Sequence, residues 1–256
     1  MKVVILAGGR PSTINSDSEG IPKPMVEIGG KPLLWHIMKH FSIYGFNEFI
    51  VCGGYKVDMI KDYFMDYYIY ESDITVDLQS NTVTIHKKRT EDWKVTVVDT
   101  GLETSTAERV SKIKDYVGND TFIVTYGDCL TDINVNKLLG EHARVGKLAT
   151  MVTSRTVGRN ELMSIDSDGQ IIGKSSNASR DAWVNSYIYV LDYRAFELMK
   201  VGKTIEESLM NALIPKQELV AYRHEGFRVS VETYRDYVVI ERMCDAGNTP
   251  WLDRME

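Results

Sequence analysis

Two glycines, a lysine and two carboxylates are the residues of this chain whose types and spacing suit phosphate chemistry. Gly8-Gly9 closes the apolar run Val3–Ala7, and Lys23 follows between Pro22 and Pro24. A strand that ends on glycines offers backbone N–H groups at a tight turn, an arrangement that cradles phosphate or simply turns the chain. A lysine between prolines has a restricted backbone, so its ammonium is aimed at one place, whereas an ordinary lysine is solvated. Asp128 ends the run Ile123–Gly127, and Glu232 follows Phe227–Val231. A carboxylate at a strand end either caps the next segment or holds a divalent cation. Two of them beside a phosphate-loop lysine suit Mg2+ bridging phosphates.

Other reactive side chains carry less. His36 and His40 have the i, i+4 spacing of metal ligands, but no carboxylate or third histidine joins them, so packing explains them better. Cys129 adjoins Asp128 with no histidine placed by sequence to activate it.

An alternating series of strands and helices must position these groups. Val3–Ala7 reads as a strand buried on both faces, Leu33–Tyr44 as an amphipathic helix opened by Pro32, and Glu48–Cys52 as the next strand. A helix over Val57–Tyr67 follows, then an inserted hairpin around Ser80-Asn81. Next come a strand at Lys94–Asp99, a helix over Thr106–Val117 and a strand at Thr121–Tyr126. Strand–helix–strand repetition predicts a mostly parallel sheet, and ligands of such sheets sit at the carboxyl ends of the strands. Gly8-Gly9, Gly53-Gly54, Thr100-Gly101 and Gly127-Asp128 all lie at such ends. A helix over Val135–Val145 and a strand at Leu148–Thr153 complete this part.

After about residue 155 strands dominate: a hairpin at Leu162–Asp166 and Gln170–Lys174, a long strand at Ala182–Leu191, and strands at Glu218–Tyr222 and Phe227–Val231. Short helices at Tyr193–Met199 and Ile205–Leu213 interrupt them, and Tyr234–Cys244 closes the chain as a helix. The expected organisation is one domain over 1–256: a nucleotide-binding core (1–154), a β-rich acceptor-binding part (155–232), and a terminal helix and tail (233–256).

Composition narrows the partners. A chain of 256 residues with 43% hydrophobic content can bury a sizeable core, and its net charge of −6 gives no field for gripping a nucleic acid. Three dispersed cysteines form no disulfide framework, and the N-terminal apolar run is too short for a signal peptide or membrane span. No nucleic-acid or membrane partner and a cytoplasmic location are expected.

The stretches LAGG (Leu6–Gly9), KPMVEIGGKPLLWHIMK (Lys23–Lys39), VDTG (Val98–Gly101), TYGD (Thr125–Asp128) and HEGF…ETYRD around Glu232 resemble the sugar-1-phosphate nucleotidyltransferases. More narrowly, they are similar to glucose-1-phosphate cytidylyltransferases. The resemblance implies an α/β fold with a Rossmann-like, GT-A-like sheet, a homo-oligomer, Mg2+, and transfer of CMP from CTP to a small phosphorylated acceptor. It implies that Leu6, Ala7, Gly8, Gly9, Ser12, Thr13, Thr100, Gly101 and Arg109 serve the nucleotide. Lys23 would neutralise phosphates, and Asp128 and Glu232 would hold the metal.

Departures from the family pattern cluster at the site. Pro11 stands for a loop glycine, Thr13 for a phosphate-binding arginine, Ala107-Glu108 for a glycine pair, Cys129 for a glycine, and Glu232 for an aspartate. The Glu-Lys-Pro of the sugar pocket is replaced near Ser175–Asn177, and Asn-Gly-Gly has become Asn185-Ser186-Tyr187. Arg10 is the candidate replacement for the missing arginine. Lys174, with Asn185, is the candidate contact to the acceptor. Three readings follow: transfer to a sugar or other phosphorylated acceptor, an ordinary glucose-1-phosphate enzyme, or a non-catalytic paralogue that binds nucleotide or a partner subunit. Retention of Lys23, Asp128 and a carboxylate at 232 favours the first over the last, and loss of the acceptor contacts counts against the ordinary glucose-1-phosphate enzyme.

Overall fold

Strand β1 (Val3–Ala7) is wholly buried because it separates two hydrophobic cores: Val3, Ile5 and Ala7 face one, Val4 and Leu6 the other. Each face also binds helices, so both need apolar residues and the strand reads as an unbroken apolar run. The computed structural model describes residues 1–9, 14, 20–88, 90–155, 162–175 and 183–254.

After a 3₁₀ turn at Lys23–Met25 come the short strands β2 (Glu27–Ile28) and β3 (Lys31–Pro32), helix α1 (Leu33–Ile43), β4 (Glu48–Gly53) and α2 (Val57–Tyr70). The ribbon β5 (Ser72–Asp77) and β6 (Thr82–Lys88) precedes β7 (Lys94–Asp99), α3 (Thr106–Ser111), α4 (Lys114–Val117), β8 (Phe122–Tyr126) and β9 (Cys129–Thr131). Then follow α5 (Val135–Val145), β10 (Ala149–Ser154), β11 (Leu162–Ile165), β12 (Ile171–Ser175) and β13 (Trp183–Leu191). A 3₁₀ turn at Tyr193–Leu198, α6 (Ile205–Leu213), β14 (Leu219–His224), β15 (Arg228–Ser230), α7 (Tyr234–Asp245) and a last 3₁₀ turn at Pro250–Leu252 finish the chain.

The centre of the sheet is parallel, in the order β7, β4, β1, β8. Beyond β8 the direction reverses. Strand β13 runs antiparallel to β8 and to β10, and β10 carries β14 parallel to itself. The start of β13 also pairs with β11, which pairs with β12. The β-rich second part therefore continues the sheet of the first.

Two local features differ from the sequence expectation. The helix expected over Thr106–Val117 is two short helices, because the Ile113 N–H bonds to the Val110 carbonyl three residues back and turns its side chain into the core. Strand β15 is shorter than expected and joins β9 in a separate antiparallel ribbon. The β5–β6 ribbon projects apolar side chains, with Ile74, Val76, Leu78 and Val83 exposed.

His36 and His40 are buried between α1 and the last turn. His36 meets Ile28 O at 2.8 Å and accepts from the Trp251 indole, while His40 Nδ1 meets Trp251 O at 3.0 Å. Burial holds His40 down to about 4, so it is neutral at ordinary pH. Both rings dock the C-terminal Trp251, which is fully buried. No helix among the described residues is long and apolar enough to cross a membrane.

Candidate active site

The carboxyl ends of β1 and β8 open onto a cavity of about 470 Å³. Leu6, Ala7, Gly8 and Gly9 form one wall, and Lys23, Asp128 and Glu232 meet at the floor. Thr104–Thr106 and Gly202–Thr204, which lead into α3 and α6, form the opposite rim.

Lys23 reaches its place because Pro24 lies against Gly127. A Cβ at position 127 would stand 2.8 Å from Pro24 Cγ and 3.0 Å from Leu6 O, so the turn before Asp128 needs glycine for close approach. The Lys23 ammonium then donates to Asp128 Oδ2 at 3.0 Å. That pair is part-exposed, so a ligand of either sign can separate it at modest cost.

Glu232 comes to the same floor through the β9–β15 ribbon. Its ladder pairs Ser230 with Cys129 and continues with the Val231 N–H donating to Asp128 O at 2.8 Å, which brings residue 232 beside the Gly127-Asp128 turn. The cap of α7 is the reciprocal pair Thr233 and Asp236, so the Glu232 side chain does not serve as that cap. Among the described residues no group of three or more His, Cys, Asp or Glu could hold a metal. A pair of carboxylates on a phosphate cavity still fits Mg2+, which keeps several waters and completes its shell with phosphate oxygens.

Arg109 lines the cavity but its guanidinium is committed to the fold. It donates to Gly8 O at 2.6 Å, Gly53 O at 3.2 Å, Thr100 Oγ1 at 2.6 Å, Gly101 O at 2.7 Å and Leu102 O at 3.0 Å. One cation thus ties together the ends of β1, β4 and β7. A Cβ on Gly8 would lie inside that guanidinium, so this glycine is required by Arg109 as well as by any phosphate. Burial lowers the Arg109 pKa, yet arginine stays charged at any ordinary pH.

Thr100 is fully buried and donates to Gly53 O, and Gly101 supplies a carbonyl to Arg109; neither lines the cavity. Asn185 is turned inward: its amide donates to the Tyr189 hydroxyl at 2.6 Å and its Oδ1 accepts the Tyr187 N–H at 2.9 Å. Lys174, on β12, also lies off the cavity wall. Arg10, Ser12 and Thr13 lie outside the described residues, as do Pro11, Ser176 and Asn177. The structure thus brings together Leu6 to Gly9, Lys23, Arg109, Asp128 and Glu232, and leaves Thr100, Gly101, Lys174 and Asn185 off the wall.

Two cavity features escaped the sequence reading. Lys203 lines the rim, in a loop of undistinguished composition. Glu206 lies just behind the wall and accepts hydroxyl protons from Tyr126 at 2.9 Å and Tyr189 at 2.6 Å through the same oxygen. Tyr126 lines the cavity, and burial with the nearby Glu206 carboxylate pushes its phenol far above the ordinary range. A signal existed for Glu206: Thr204 and Glu207 have the spacing of a capping box, which leaves the preceding glutamate without that role. Cys129 is buried, its thiol donates to Ser186 O, and burial raises its pKa, which suits packing rather than nucleophilic attack.

The family profile described as Nucleotidyl transferase matches residues 2–211. The glucose-1-phosphate cytidylyltransferase of Salmonella typhi is 38% identical over 254 residues, covering 98% of each chain. The chain belongs to the nucleotidyl transferase family. The probable glucose-1-phosphate cytidylyltransferase of Bacillus subtilis is likewise 38% identical, over 253 residues that cover 98% of this nucleotidyltransferase and 99% of that protein. HddC from Yersinia pseudotuberculosis, solved with GMP-PN, superposes with a TM-score of 0.70 at 22% identity, covering 94% of this chain and 98% of its own. That likeness speaks for the shared fold. As a sugar-1-phosphate nucleotidyltransferase the chain is an enzyme of phosphoryl chemistry, and the cavity at the ends of β1 and β8 is where its lysine and carboxylates meet.

Proposed function

We propose that this nucleotidyltransferase moves CMP from CTP to a sugar 1-phosphate and releases pyrophosphate. The observation that carries the reading is the meeting of Lys23, Asp128 and Glu232 on the floor of one cavity. Near-full-length similarity to two cytidylyltransferases supports CTP as donor and a sugar 1-phosphate as acceptor.

In the reaction an acceptor phosphate oxygen attacks the α-phosphorus in line. The new P–O bond forms as the bond to the pyrophosphate oxygen breaks, and no covalent enzyme intermediate is needed. The difficulty is electrostatic: two anions must meet. Lys23 swings from Asp128 to the phosphates and neutralises charge there. Arg109 holds the Gly8 carbonyl and the ends of β4 and β7 fixed, so the wall facing the nucleotide does not rearrange during the reaction. Asp128 and Glu232 would hold Mg2+, which would supply positive charge to offset that of the phosphates. Asn185 spends its amide on the Tyr189 hydroxyl, which supports acceptor contacts different from those of the family pattern.

Pyrophosphate release with each nucleoside triphosphate, across a panel of sugar 1-phosphates and other phosphomonoesters, tests the reading. CTP with glucose 1-phosphate should give turnover. No release from CTP with any acceptor, despite tight nucleotide binding, would favour the paralogue reading.

A further inference from the structure

Among the described residues, three cations line the cavity: Lys23, Arg109 and Lys203. The chemistry needs positive charge on both substrates, and two of the three are accounted for. Lys23 stands at Asp128, where the nucleotide phosphates and metal meet, and Arg109 spends its guanidinium on five protein oxygens. Lys203 has an ion pair to Glu207 at 3.7 Å, with both side chains about half exposed. An exposed pair at that separation holds weakly, so the ammonium is available to a stronger anion.

The backbone that carries Lys203 is held firmly. The Ala107 N–H donates to Lys203 O at 3.3 Å, the Ile205 N–H to Thr106 Oγ1 at 3.0 Å, and the Gly202 N–H to Glu108 Oε2 at 3.0 Å. These bonds lock the Gly202–Thr204 segment onto the start of α3, so the lysine is presented from a fixed point on the rim. The surroundings assign the rim to the acceptor side. The Glu207 carboxyl is held below its ordinary range first by the Thr204 N–H, then by Lys203 and by Lys174 of β12. The geometry points the same way: Glu206, next to Glu207 on α6, accepts from the Tyr189 hydroxyl at 2.6 Å and from the Asn185 amide at 3.5 Å, so the segment that carries Lys203 leads directly onto β13 of the β-rich part.

We propose that Lys203 is the residue that seats the phosphate of the acceptor. This rests on the cytidylyltransferase reading and names the residue that sets acceptor affinity. A phosphomonoester dianion displaces Glu207 from the ammonium, and the attacking oxygen is thereby held on the rim across from the α-phosphorus.

The test uses Lys203→Met and Lys203→Arg in the full chain, with Mg2+ present. Calorimetric titration with CTP and, separately, with glucose 1-phosphate reads the two halves of the site. Lys203→Met should weaken glucose 1-phosphate binding and raise its KM roughly tenfold or more, on the scale of a charge-assisted hydrogen bond, while CTP affinity stays within about twofold. Lys203→Arg should restore part of the acceptor affinity, a rescue that a merely structural role would not give. Unchanged glucose 1-phosphate affinity in Lys203→Met, a loss confined to CTP, or no binding of glucose 1-phosphate by the wild type would each overturn the proposal. If both substrates bind and Lys203→Met loses the acceptor, yet the wild type releases no pyrophosphate, the catalytic reading falls while the assignment of Lys203 stands.

Discussion

The two rims of the cavity solve the same problem differently. On the floor beneath β1 and β8, functional side chains are delivered by close backbone packing: Pro24 against Gly127, Gly8 against Arg109, Val231 against Asp128. On the side of α6 and β13, polar groups are delivered to one another. Asn185, Tyr189 and Tyr126 converge on Glu206, and the cavity is lined on this side by Tyr126 and the Gly202–Thr204 segment. Backbone-delivered sites tolerate little change in residue type, because any Cβ collides. A network of side chains can be rewired while the fold stands. The difference explains how residues 186 and 187 can depart from the family pattern while Gly8, Lys23 and Gly127, each fixed by a close approach, keep it.

The largest expected effect breaks the floor. Asp128→Asn and Lys23→Ala should each lower turnover by roughly 10²- to 10³-fold, the scale of removing one preorganised charge from a phosphoryl-transfer site. Steady-state pyrophosphate release checks this, with the melting temperature as control for folding. Glu232→Gln should join them and Glu232→Asp should keep activity, since aspartate remains an oxygen donor of the same charge. Wild-type turnover in Asp128→Asn would remove the metal assignment.

Next is Arg109. Replacing it with lysine leaves buried acceptors at the ends of three strands with too few donors, at a cost of about 2–4 kcal/mol. The expected outcome is a drop in unfolding free energy measured by urea, with nucleotide binding lost in proportion. A variant as stable as wild type that has lost only CTP affinity would show that the guanidinium serves the nucleotide directly.

The strands and helices were legible from periodicity and turn residues because each buries a consistent face. β1 reads as apolar throughout since both its faces are covered, and α1 carries Leu33, Leu34, Ile37, Met38 and Phe41 inward. What the sequence hid was pairing and commitment. Nothing local says that Arg228–Ser230 leaves the main sheet to pair with Cys129–Thr131, yet that ribbon brings Glu232 to Asp128. Arg109 read as a nucleotide residue, and its five carbonyl and hydroxyl acceptors come from segments far apart in sequence. Lys203 has no motif, and only the tertiary convergence of α3 and α6 brings it to the cavity.

A smaller effect is expected on the networked side. Glu206→Gln keeps shape and one acceptor oxygen but removes the charge that two phenols share, which should cost about 1–2 kcal/mol. Activity should fall severalfold through the acceptor KM, with CTP affinity preserved, because Tyr126 loses its anchor while Lys23 and Asp128 do not. If CTP affinity fell as much as acceptor affinity, the two rims would be one cooperative unit and the comparison would fail.

The smallest effect concerns Tyr187, which adopts φ 60° where the family pattern has glycine. A non-glycine side chain in that region costs about 1–2 kcal/mol. The ring recovers a similar amount: it lies 4.9 Å from Tyr126 and 5.4 Å from the Arg228 guanidinium, contacts worth about 0.5–1.5 and about 0.5–1 kcal/mol. Tyr187→Gly should therefore leave stability within about 1 kcal/mol of wild type, because relieved strain and lost contacts nearly cancel. Its consequence should appear instead in the acceptor half. Without the ring behind it, Tyr126 gains freedom and the pocket beside it widens, so the ratio of catalytic efficiencies for larger over smaller sugar 1-phosphates should rise severalfold. Competition kinetics with two acceptors of different size read that ratio without reference to enzyme concentration. An unaltered ratio with a large loss of stability would make Tyr187 a core residue alone, and the acceptor side would then owe its departures to packing.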